Sequence, residues 1–321
     1  MSIFENFEKK LQAEPKSIVF TEGTDARILS AASRLLAGKV LKVILLGNPE
    51  AVKEAAAKGS FDITGAEIID PANYTGFDEM VAKMVELRKG KMTAEDCAKA
   101  LSKSNYFGTM LVKMGKADCL LGGATYSTAD TVRPALQLIK CKPGIQSVSS
   151  SFILTRGEES IAMGDCAINI NPSEDEVVEC TVETAHTAEI FGIDPRVALL
   201  SYSTKGSGKG DTVDKMRNAT ARVQEAHPEL KVDGELQFDA AVAPEVGQLK
   251  APGSKVAGYA NTFIFPDINA GNIGYKIAQR LGGFEAYGPI LQGLNAPIND
   301  LSRGCNAEEV YKMSLITAAL I

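Results

Sequence analysis

A short run near the end of the chain combines the side chains needed to bind an anion. Ser302, Arg303 and Cys305 supply a hydroxyl, a guanidinium and a thiol, and carboxylates follow at Glu308 and Glu309. A guanidinium is a planar donor that binds two oxygens of a phosphate at once. These residue types at this spacing predict a site for a phosphate or a similar oxyanion.

The same run has the pattern of a helix start. Asn306 is a typical N-cap for a helix over 307–319, and Glu309 stands three residues later, where a capping-box carboxylate accepts from the first backbone N–H. Free N–H groups and the helix dipole attract anions to such an end. Ser302 and Arg303 are therefore predicted to lie just ahead of a positive helix end.

Length and composition limit the class of protein. The 321 residues, 45% of them hydrophobic, are enough for two cores. A net charge of -6 without a basic cluster argues against a nucleic-acid partner, so local residues must hold any anionic ligand. The chain has no signal-peptide pattern and no apolar run approaching about 18 residues. We expect a cytoplasmic protein with no membrane partner.

The cysteines argue against a metal site. They are scattered, form no C-x-x-C pair and lie mostly in apolar or helical segments. This distribution predicts reduced thiols, no disulfide framework and no bound metal. The six positions are Cys97, Cys119, Cys141, Cys166, Cys180 and Cys305.

Strand and helix patterns alternate along the chain in two series, separated by a break at 141–144. The alternation predicts α/β folding with parallel, doubly wound sheets. Strand patterns cover 17–23, 40–47, 66–70, 117–123, 149–156, 196–203 and 261–268. Helical patterns cover 25–37, 49–58, 176–191 and 212–226.

We predict a discontinuous first domain and an inserted second domain. The first comprises residues 1–142 and 284–321, and the second comprises 143–283. The segment after Gly283 is too short for a domain of its own, so its strand and helix are expected to return to the first sheet. The Ser302 turn would then lie near the cleft between the domains.

Four long segments carry a resemblance that covers nearly the whole chain. They are GGATYSTADTVRPALQLIK, SYSTKGSGKGDTVDKM, DGELQFDAAVAPEVGQLKAPGSKVAGYANTFIFPDINAGNIGYKIAQRL and GPILQGLNAPINDLSRGCNAEEVYKMSLITAAL. In order and spacing they resemble the phosphate acetyltransferase (phosphotransacetylase) family. The resemblance implies two three-layer α/β/α domains of the isocitrate-dehydrogenase-like type, an active site in their cleft and a cytoplasmic homodimer.

The same resemblance implies the reaction of acetyl-CoA and phosphate to acetyl phosphate and CoA. Both substrates bind together, no acyl-enzyme forms, and coenzyme A is a substrate rather than a tightly bound cofactor. Ser302 and Arg303 would contact the reacting groups. The family has an aspartate base seven positions after the motif serine, where this chain has Glu309. Glu309 remains either base or helix cap, and Glu308 is a weaker candidate for the base.

Further substrate contacts are predicted around the run GGATYSTADTV and the helix expected after it. Arg133 follows a strand end and a Gly, Ser and Thr loop, which is where open α/β sheets bind anions. The resemblance places a phosphate contact at Arg133 and aligns Arg88 with a second arginine near the CoA or phosphate end of the cleft, whereas without it Arg88 is a charged helix residue. Ser127 and Thr128 are candidates to donate to the acyl phosphate.

Other interpretations remain open. The run at 205–212 resembles a P-loop but has Gly210 after Lys209 where Ser or Thr is required, so it is either a mobile lid or a plain connector. A phosphate butyryltransferase would differ only in its acyl pocket. A dehydrogenase-like ligand-binding protein would share the fold without acyl transfer.

Overall fold

The computed structural model describes residues 3–321, which divide into two compact α/β units. One unit comprises 3–143 and 294–321, and the other comprises 144–293. The first division lies one residue from the predicted boundary at 142. The predicted return at 284 was wrong, because the strand Glu285–Gln292 pairs with the second sheet before the chain returns.

The regular elements are numbered in chain order through both units. The strands are β1 (Ser17–Phe20), β2 (Lys42–Leu46), β3 (Glu67–Ile69), β4 (Cys119–Gly122), β5 (Ser149–Arg156), β6 (Glu159–Gly164), β7 (Arg196–Leu200), β8 (Lys231–Leu236), β9 (Thr262–Ile264), β10 (Glu285–Gln292) and β11 (Ile298–Asp300). The helices are α1 (Ile3–Ala13), α2 (Ala26–Ala37), α3 (Pro49–Lys58), α4 (Phe77–Arg88), α5 (Ala94–Leu101), α6 (Ser104–Lys113), α7 (Thr128–Pro134), α8 (Glu174–Ile190), α9 (Asp211–Ala226), α10 (Phe238–Val242), α11 (Pro244–Lys250), α12 (Ile268–Arg280) and α13 (Ala307–Ala319).

The first unit contains a parallel sheet in the order β11-β4-β1-β2-β3. The chain runs from β1 to β3 at one edge and then places β4 on the other side of β1. This reversal is a topological switch point, where ligands bind beyond the carboxyl ends of the strands in open α/β sheets. The loops after β1, β4 and β11 lie at that edge, and the predicted parallel sheet is confirmed.

Helices α2 and α3 of the first unit begin after residues whose side chains cap the helix N-terminus. The Asp25 side chain accepts from the backbone N–H of Arg27 at the start of α2. Asn48 accepts from two N–H groups of α3, and Pro49 occupies the first turn, where its missing N–H costs nothing. The apolar face of α2, which includes Ile28 and Leu35, is fully buried, and each such side chain contributes roughly 1.5–3 kcal/mol. Capping and periodicity thus explain the accuracy of these predictions.

The second unit has a mixed sheet in the order β10-β5-β6-β9-β7-β8. Strand β5 runs antiparallel to β10 and β6, a feature that the strand patterns did not indicate, and the remaining pairs are parallel. Alternate residues of β7 enter separate clusters, Ala198 and Leu200 in one and Val197 and Leu199 in the other. Because successive residues of a strand point to opposite faces, helices must cover both sides. The predicted three-layer arrangement is confirmed in this unit.

The glycine-rich loop after β7 is held by hydrogen bonds within the second unit. The Glu235 carboxylate accepts from the Ser203 hydroxyl at 2.9 Å and from the Gly206 N–H at 2.7 Å. Lys205 pairs with Asp233 and donates to the Gly234 carbonyl at 2.9 Å. These contacts tie the start of the loop to β8.

Candidate active site

The turn between β11 and α13 presents the two central candidates to solvent. Ser302 and Arg303 are exposed, and the turn is closed by hydrogen bonds from the Cys305 N–H to the Ser302 carbonyl at 2.9 Å and from the Gly304 N–H to the Ser302 hydroxyl at 3.2 Å. The Arg303 side chain makes no hydrogen bond or ion pair within residues 3–321. Its guanidinium is therefore available to an external anion.

The predicted capping box is confirmed at the start of α13. Asn306 Oδ1 accepts from the Glu309 N–H at 2.9 Å, and Glu309 Oε2 accepts from the Asn306 N–H at 3.1 Å. Glu309 Oε1 has no hydrogen-bond partner in the described part of the chain. The alternative candidate Glu308 forms an ion pair with Arg34 at the surface. Glu309 thus has one oxygen committed to the helix and one available.

The guanidinium of Arg27, on α2, links this turn to the loop after β4 by hydrogen bonds. Arg27 Nη1 donates to the carbonyls of Arg303 at 2.8 Å and Cys305 at 3.1 Å, and Nη2 donates to the Ala124 carbonyl at 2.8 Å. Asp25 holds this guanidinium through Nε and Nη2, and the pairing lowers the pKa of Asp25 below its usual value. Arg27 therefore joins the loops after β4 and β11.

A second carboxylate orders the loop after β4. Glu22 Oε1 accepts from the N–H groups of Gly123 at 3.0 Å and Thr125 at 3.2 Å. The Thr21 hydroxyl donates to Glu22 Oε2 at 2.6 Å. Gly123 has a φ of +99°, in the left-handed region that favours glycine. Glu22 at the end of β1 therefore fixes the path of the neighbouring loop.

Asp300, the last residue of β11, is buried beneath the turn. Burial raises its pKa to about 6, and the Glu22 carboxylate adds to the rise. The side chains of Thr128 and Thr131 and the guanidinium of Arg303 oppose it. Asp300 Oδ1 and Thr131 Oγ1 are buried without a hydrogen-bond partner in the described part of the chain. Residues of α7 and of the Ser302–Arg303 turn therefore both act on the Asp300 carboxyl group.

Ser127 and Thr128 begin helix α7. Ser127 is its N-cap, donating to Asp130 Oδ2 at 2.6 Å and accepting from the Asp130 N–H at 3.3 Å. Thr128 is the first residue of the helix and faces Asp300. The structure therefore gives Ser127 a capping contact and places Thr128 beside the turn.

The two further arginines both influence Tyr106. Burial raises the pKa of Tyr106, whereas the nearby guanidiniums of Arg133 and Arg88 lower it. Arg133 is exposed in the last turn of α7, and Arg88 ends α4 with its Nε atom buried and without a hydrogen-bond partner within residues 3–321. Two cations that are distant in sequence therefore both act on the Tyr106 hydroxyl.

Cys305 is a poor candidate for a nucleophile. Its side chain is buried, which raises the pKa of the thiol, although Arg27 opposes this rise. A thiol with a raised pKa and little exposure reacts slowly because the thiolate is the nucleophile. The geometry agrees with the absence of a covalent role for Cys305.

A cavity of about 590 Å³ opens beside the switch point. The loop after β1 lines it together with the start of α6 and Tyr126 of the loop after β4. Its volume is in the range of pockets for small organic ligands. Glu22 is part of its lining, whereas Ser302, Arg303 and Glu309 are not.

Sequence reasoning missed three residues of this site. Glu22 and Asp300 are acidic residues at or just beyond the ends of buried strands, which was a usable signal for the carboxyl edge of the sheet. Arg27 follows an N-cap aspartate by two positions and gave no comparable signal. Its role depends on carbonyls that are distant in sequence.

Within residues 3–321, no group of three or more His, Cys, Asp or Glu side chains is arranged to hold a metal ion. No helix in the same range combines the length and the apolar character needed to cross a membrane.

Comparisons with known proteins place this chain in a family. The family model described as phosphate acetyl/butaryl transferase matches residues 2–318. A phosphate acetyltransferase of Bacillus subtilis is 54% identical over 317 residues, covering 99% of this chain and 98% of that protein. A phosphotransacetylase crystal structure from Streptococcus pyogenes is 54% identical, with a TM-score of 0.97 over 99% of this chain and 97% of that chain.

A branched-chain phosphotransacylase from Enterococcus faecalis shares the fold at 19% identity, with a TM-score of 0.71 over 95% of this chain and 98% of that chain. Identity above one half over nearly the full length of the Bacillus subtilis relative, together with the family model, establishes kinship. The chain belongs to the phosphate acetyl/butaryl transferase family.

Proposed function

We propose that this acyltransferase converts acetyl-CoA and phosphate to acetyl phosphate and CoA, in either direction. The observation that carries the proposal is the exposed Arg303 guanidinium on a braced turn ahead of a helix N-terminus. The 54% identity to a protein named phosphate acetyltransferase supports acetyl as the acyl group. Coenzyme A enters as a substrate, and no tightly bound cofactor is part of the proposal.

The direct test is the formation of acetyl-CoA from acetyl phosphate and CoA by the purified chain. We expect CoA-dependent release of phosphate in equal amount to thioester. Release without CoA, or no release at all, would reject the proposal in favour of a hydrolase or a ligand-binding protein of the same fold.

The proposed chemistry is attack of the CoA thiolate on the carbonyl carbon of acetyl phosphate. A C–S bond forms, and the tetrahedral oxyanion collapses with loss of phosphate, which leaves with the electrons of the C–O bond. Arg303 binds the phosphate, and the Ser302 hydroxyl donates to the charge that develops on the reacting groups. Both substrates are bound together, so no acyl-enzyme is needed.

We assign Glu309 as the base that takes the thiol proton. A free thiol has a pKa of about 8.5, so a carboxylate within reach of the thiol increases the fraction that reacts as thiolate. The capping contact fixes Oε2, and Oε1 is available to the proton. Capping and base roles are therefore compatible in one carboxylate.

Glu309→Gln separates the two roles, because glutamine keeps the capping box but cannot accept the thiol proton. We expect kcat to fall about 10²-fold or more with an unchanged melting temperature. Steady-state kinetics and thermal unfolding measure the two effects. Glu308→Gln, which changes the neighbouring carboxylate, is the matched control and should leave kcat unchanged. Parent-level kcat in Glu309→Gln would assign the residue to capping alone.

Arg88 and Arg133 are proposed to bind phosphate groups of the substrates. Both guanidiniums lower the pKa of Tyr106, so both act on the same part of the first unit, and a guanidinium is suited to bind phosphate oxygens. Thr128 is proposed to donate to the acyl phosphate from the start of α7, and Ser127 to do so when its contact with Asp130 opens. The cavity of about 590 Å³ is proposed to receive part of CoA.

Phosphate butyryltransferase is the alternative within the family. It would use the same phosphate and thiol contacts with a larger acyl pocket, where each methylene changes binding by about 1–3 kcal/mol. A comparison of kcat/KM for acetyl phosphate and butyryl phosphate decides between them. We expect acetyl phosphate to be preferred.

We propose that the enzyme is a cytoplasmic homodimer. All six cysteines are free, which is typical of a reducing compartment. Ile273 and Ile277 on α12, and Leu281 directly after it, stand four positions apart on one helix face and are 57%, 53% and 85% exposed. The opposite face packs inward, with Tyr275 stacked on Phe152 at 4.1 Å between ring centroids. A second copy of the chain is the proposed occupant of this apolar stripe.

Ile277→Glu tests this assignment, because a carboxylate in the middle of the stripe would have to be buried on association. We expect the mass measured by size-exclusion chromatography with light scattering to fall from dimer to monomer. Lys276→Glu, which places a carboxylate about 100° round the helix, is the control and should remain a dimer. If the Ile277→Glu variant remains a dimer, the dimer interface does not include this stripe.

A further inference from the structure

Asp300 is a buried carboxyl group that the proposed reaction does not use. It ends β11 opposite Gly122 of β4 and is 1% exposed. Its Oδ1 atom has no hydrogen-bond partner in the part of the chain that the structure describes. A buried carboxylate without full hydrogen bonding is costly in its charged form, so its protonation responds strongly to nearby charge.

Gly123 brings this carboxyl group next to that of Glu22. A Cβ atom at Gly123 would lie 2.2 Å from Asp300 Oδ1, so only a glycine backbone fits against the carboxyl group. The N–H of the same glycine donates to Glu22 Oε1 at 3.0 Å. Two carboxyl groups therefore flank one residue, and repulsion from Glu22 favours the neutral form of Asp300.

The charged groups that act on Asp300 come from two loops. Glu22 lies after β1, and Arg303 lies after β11, where its guanidinium favours the ionised form of Asp300. Helix α7 presents the uncharged side chains of Thr128 and Thr131 to Asp300. Its acidic residue Asp130 accepts a hydrogen bond from the Ser127 hydroxyl instead. Burial and the polar side chains of Thr128 and Thr131 have the larger effects on the pKa of Asp300, and one carboxylate and one guanidinium add smaller effects of opposite sign.

We propose that Asp300 is a positioning residue that takes up a proton when a dianion binds to Arg303. The proposal rests on the assignment of phosphate to the Ser302–Arg303 turn made above. An anion paired with Arg303 neutralises the charge that stabilises the Asp300 carboxylate and adds its own repulsion. The carboxylate then binds one proton from solvent, and no other bond changes. As a neutral acid, Asp300 no longer repels the bound phosphate.

The direction of the pH dependence follows from this proton uptake. Burial raises the pKa of Asp300 to about 6 in the free site, and a bound dianion raises it further. Because the bound state holds more protons, affinity for the dianion falls as the pH rises through this range. For a further rise of about one pKa unit, the dissociation constant increases about five- to tenfold between about pH 5.5 and about pH 8.

Sulfate is the appropriate probe because it stays a dianion over this pH range, whereas phosphate itself titrates. Isothermal titration calorimetry of the full chain should show the five- to tenfold loss of sulfate affinity, and Asp300→Asn should remove the dependence on pH. Titrations near pH 6.5 in two buffers of different ionisation enthalpy should show net proton uptake by the parent. A flat profile or no uptake in the parent overturns the proposal, and this result needs no variant to fold.

Two controls identify the group that titrates. The chain has two histidines, His186 and His227, and histidine usually titrates in this range. The double variant His186→Gln/His227→Gln should keep the pH dependence, and its loss there would overturn the role of Asp300. Arg303→Ala should abolish sulfate binding. Sulfate binding that persists in that variant would reject the phosphate site itself, whereas Arg303-dependent but pH-independent binding would reject only the inference about Asp300.

Discussion

Arg303→Ala is expected to lower kcat/KM for acetyl phosphate by about 10²- to 10³-fold, as removal of a charged donor at a transition state typically does. The melting temperature should change little. The exposed side chain makes no contact within residues 3–321 that folding needs, since the Arg303 carbonyl rather than its guanidinium binds Arg27. Exposed substitutions of this kind stay within about 0.5 kcal/mol in free energy of unfolding.

Arg303→Lys and Arg34→Ala complete this experiment. Lysine keeps the positive charge but lacks the planar fork, so we expect about a tenfold loss in kcat/KM. Arg34 is a nearby guanidinium that pairs with Glu308 and stacks on Tyr311 at 3.8 Å, and its removal should leave kcat/KM unchanged. Steady-state kinetics with acetyl phosphate varied at fixed CoA measure all three variants. Parent-like kinetics in Arg303→Ala would reject the proposed site.

Arg27→Ala is expected to reduce both activity and stability. Its loss leaves the Arg303, Cys305 and Ala124 carbonyls without their charged donor, which costs about 2–3 kcal/mol in free energy of unfolding. The turn then loses its tie to the loop after β4. A displacement of about 1 Å at a positioned group lowers kcat/KM by about 10²-fold.

Stability and activity must be measured separately to interpret Arg27→Ala. Urea unfolding gives the free energy change, and kinetics at a temperature where the variant is fully folded give the catalytic effect. Arg27→Lys should recover part of the stability and little of the activity, because one ammonium group cannot span three carbonyls. Parent-level kcat/KM in the folded Arg27→Ala variant would contradict a positioning role for this residue.

Local patterns predicted part of the first unit, and α1, α4, α5, α6 and β11 were not predicted. Neighbouring residues specify the apolar runs of β1, β2 and β4. They also specify the caps at Asp25 and Asn48 and the terminal helix that starts after Asn306. Capping and strand burial depend on interactions within a few positions, so a single sequence contains the necessary information. The Ser302–Arg303 turn was found for the same reason.

The return of the chain to the first sheet was not predictable in this way. The strand Glu285–Gln292 has an ordinary apolar pattern that fits either sheet. It joins β5 in antiparallel register, a choice set by the partner strand and by the packing of the second unit. Strand pairing between distant segments is decided by tertiary contacts, which a single pattern does not specify.

The sequence by itself determined the chemistry available at the Ser302–Arg303 turn and its place ahead of a capped helix, because these depend on adjacent residues. Only the tertiary structure decided what surrounds the turn. Arg27 of α2 binds the turn, Glu22 after β1 holds the neighbouring loop, and Asp300 at the end of β11 is buried with an unpaired oxygen against Gly123. The physical reason is that burial and electrostatic coupling depend on distances in space, and Arg27 and Glu22 are 276 and 101 positions away from their partners Arg303 and Gly123.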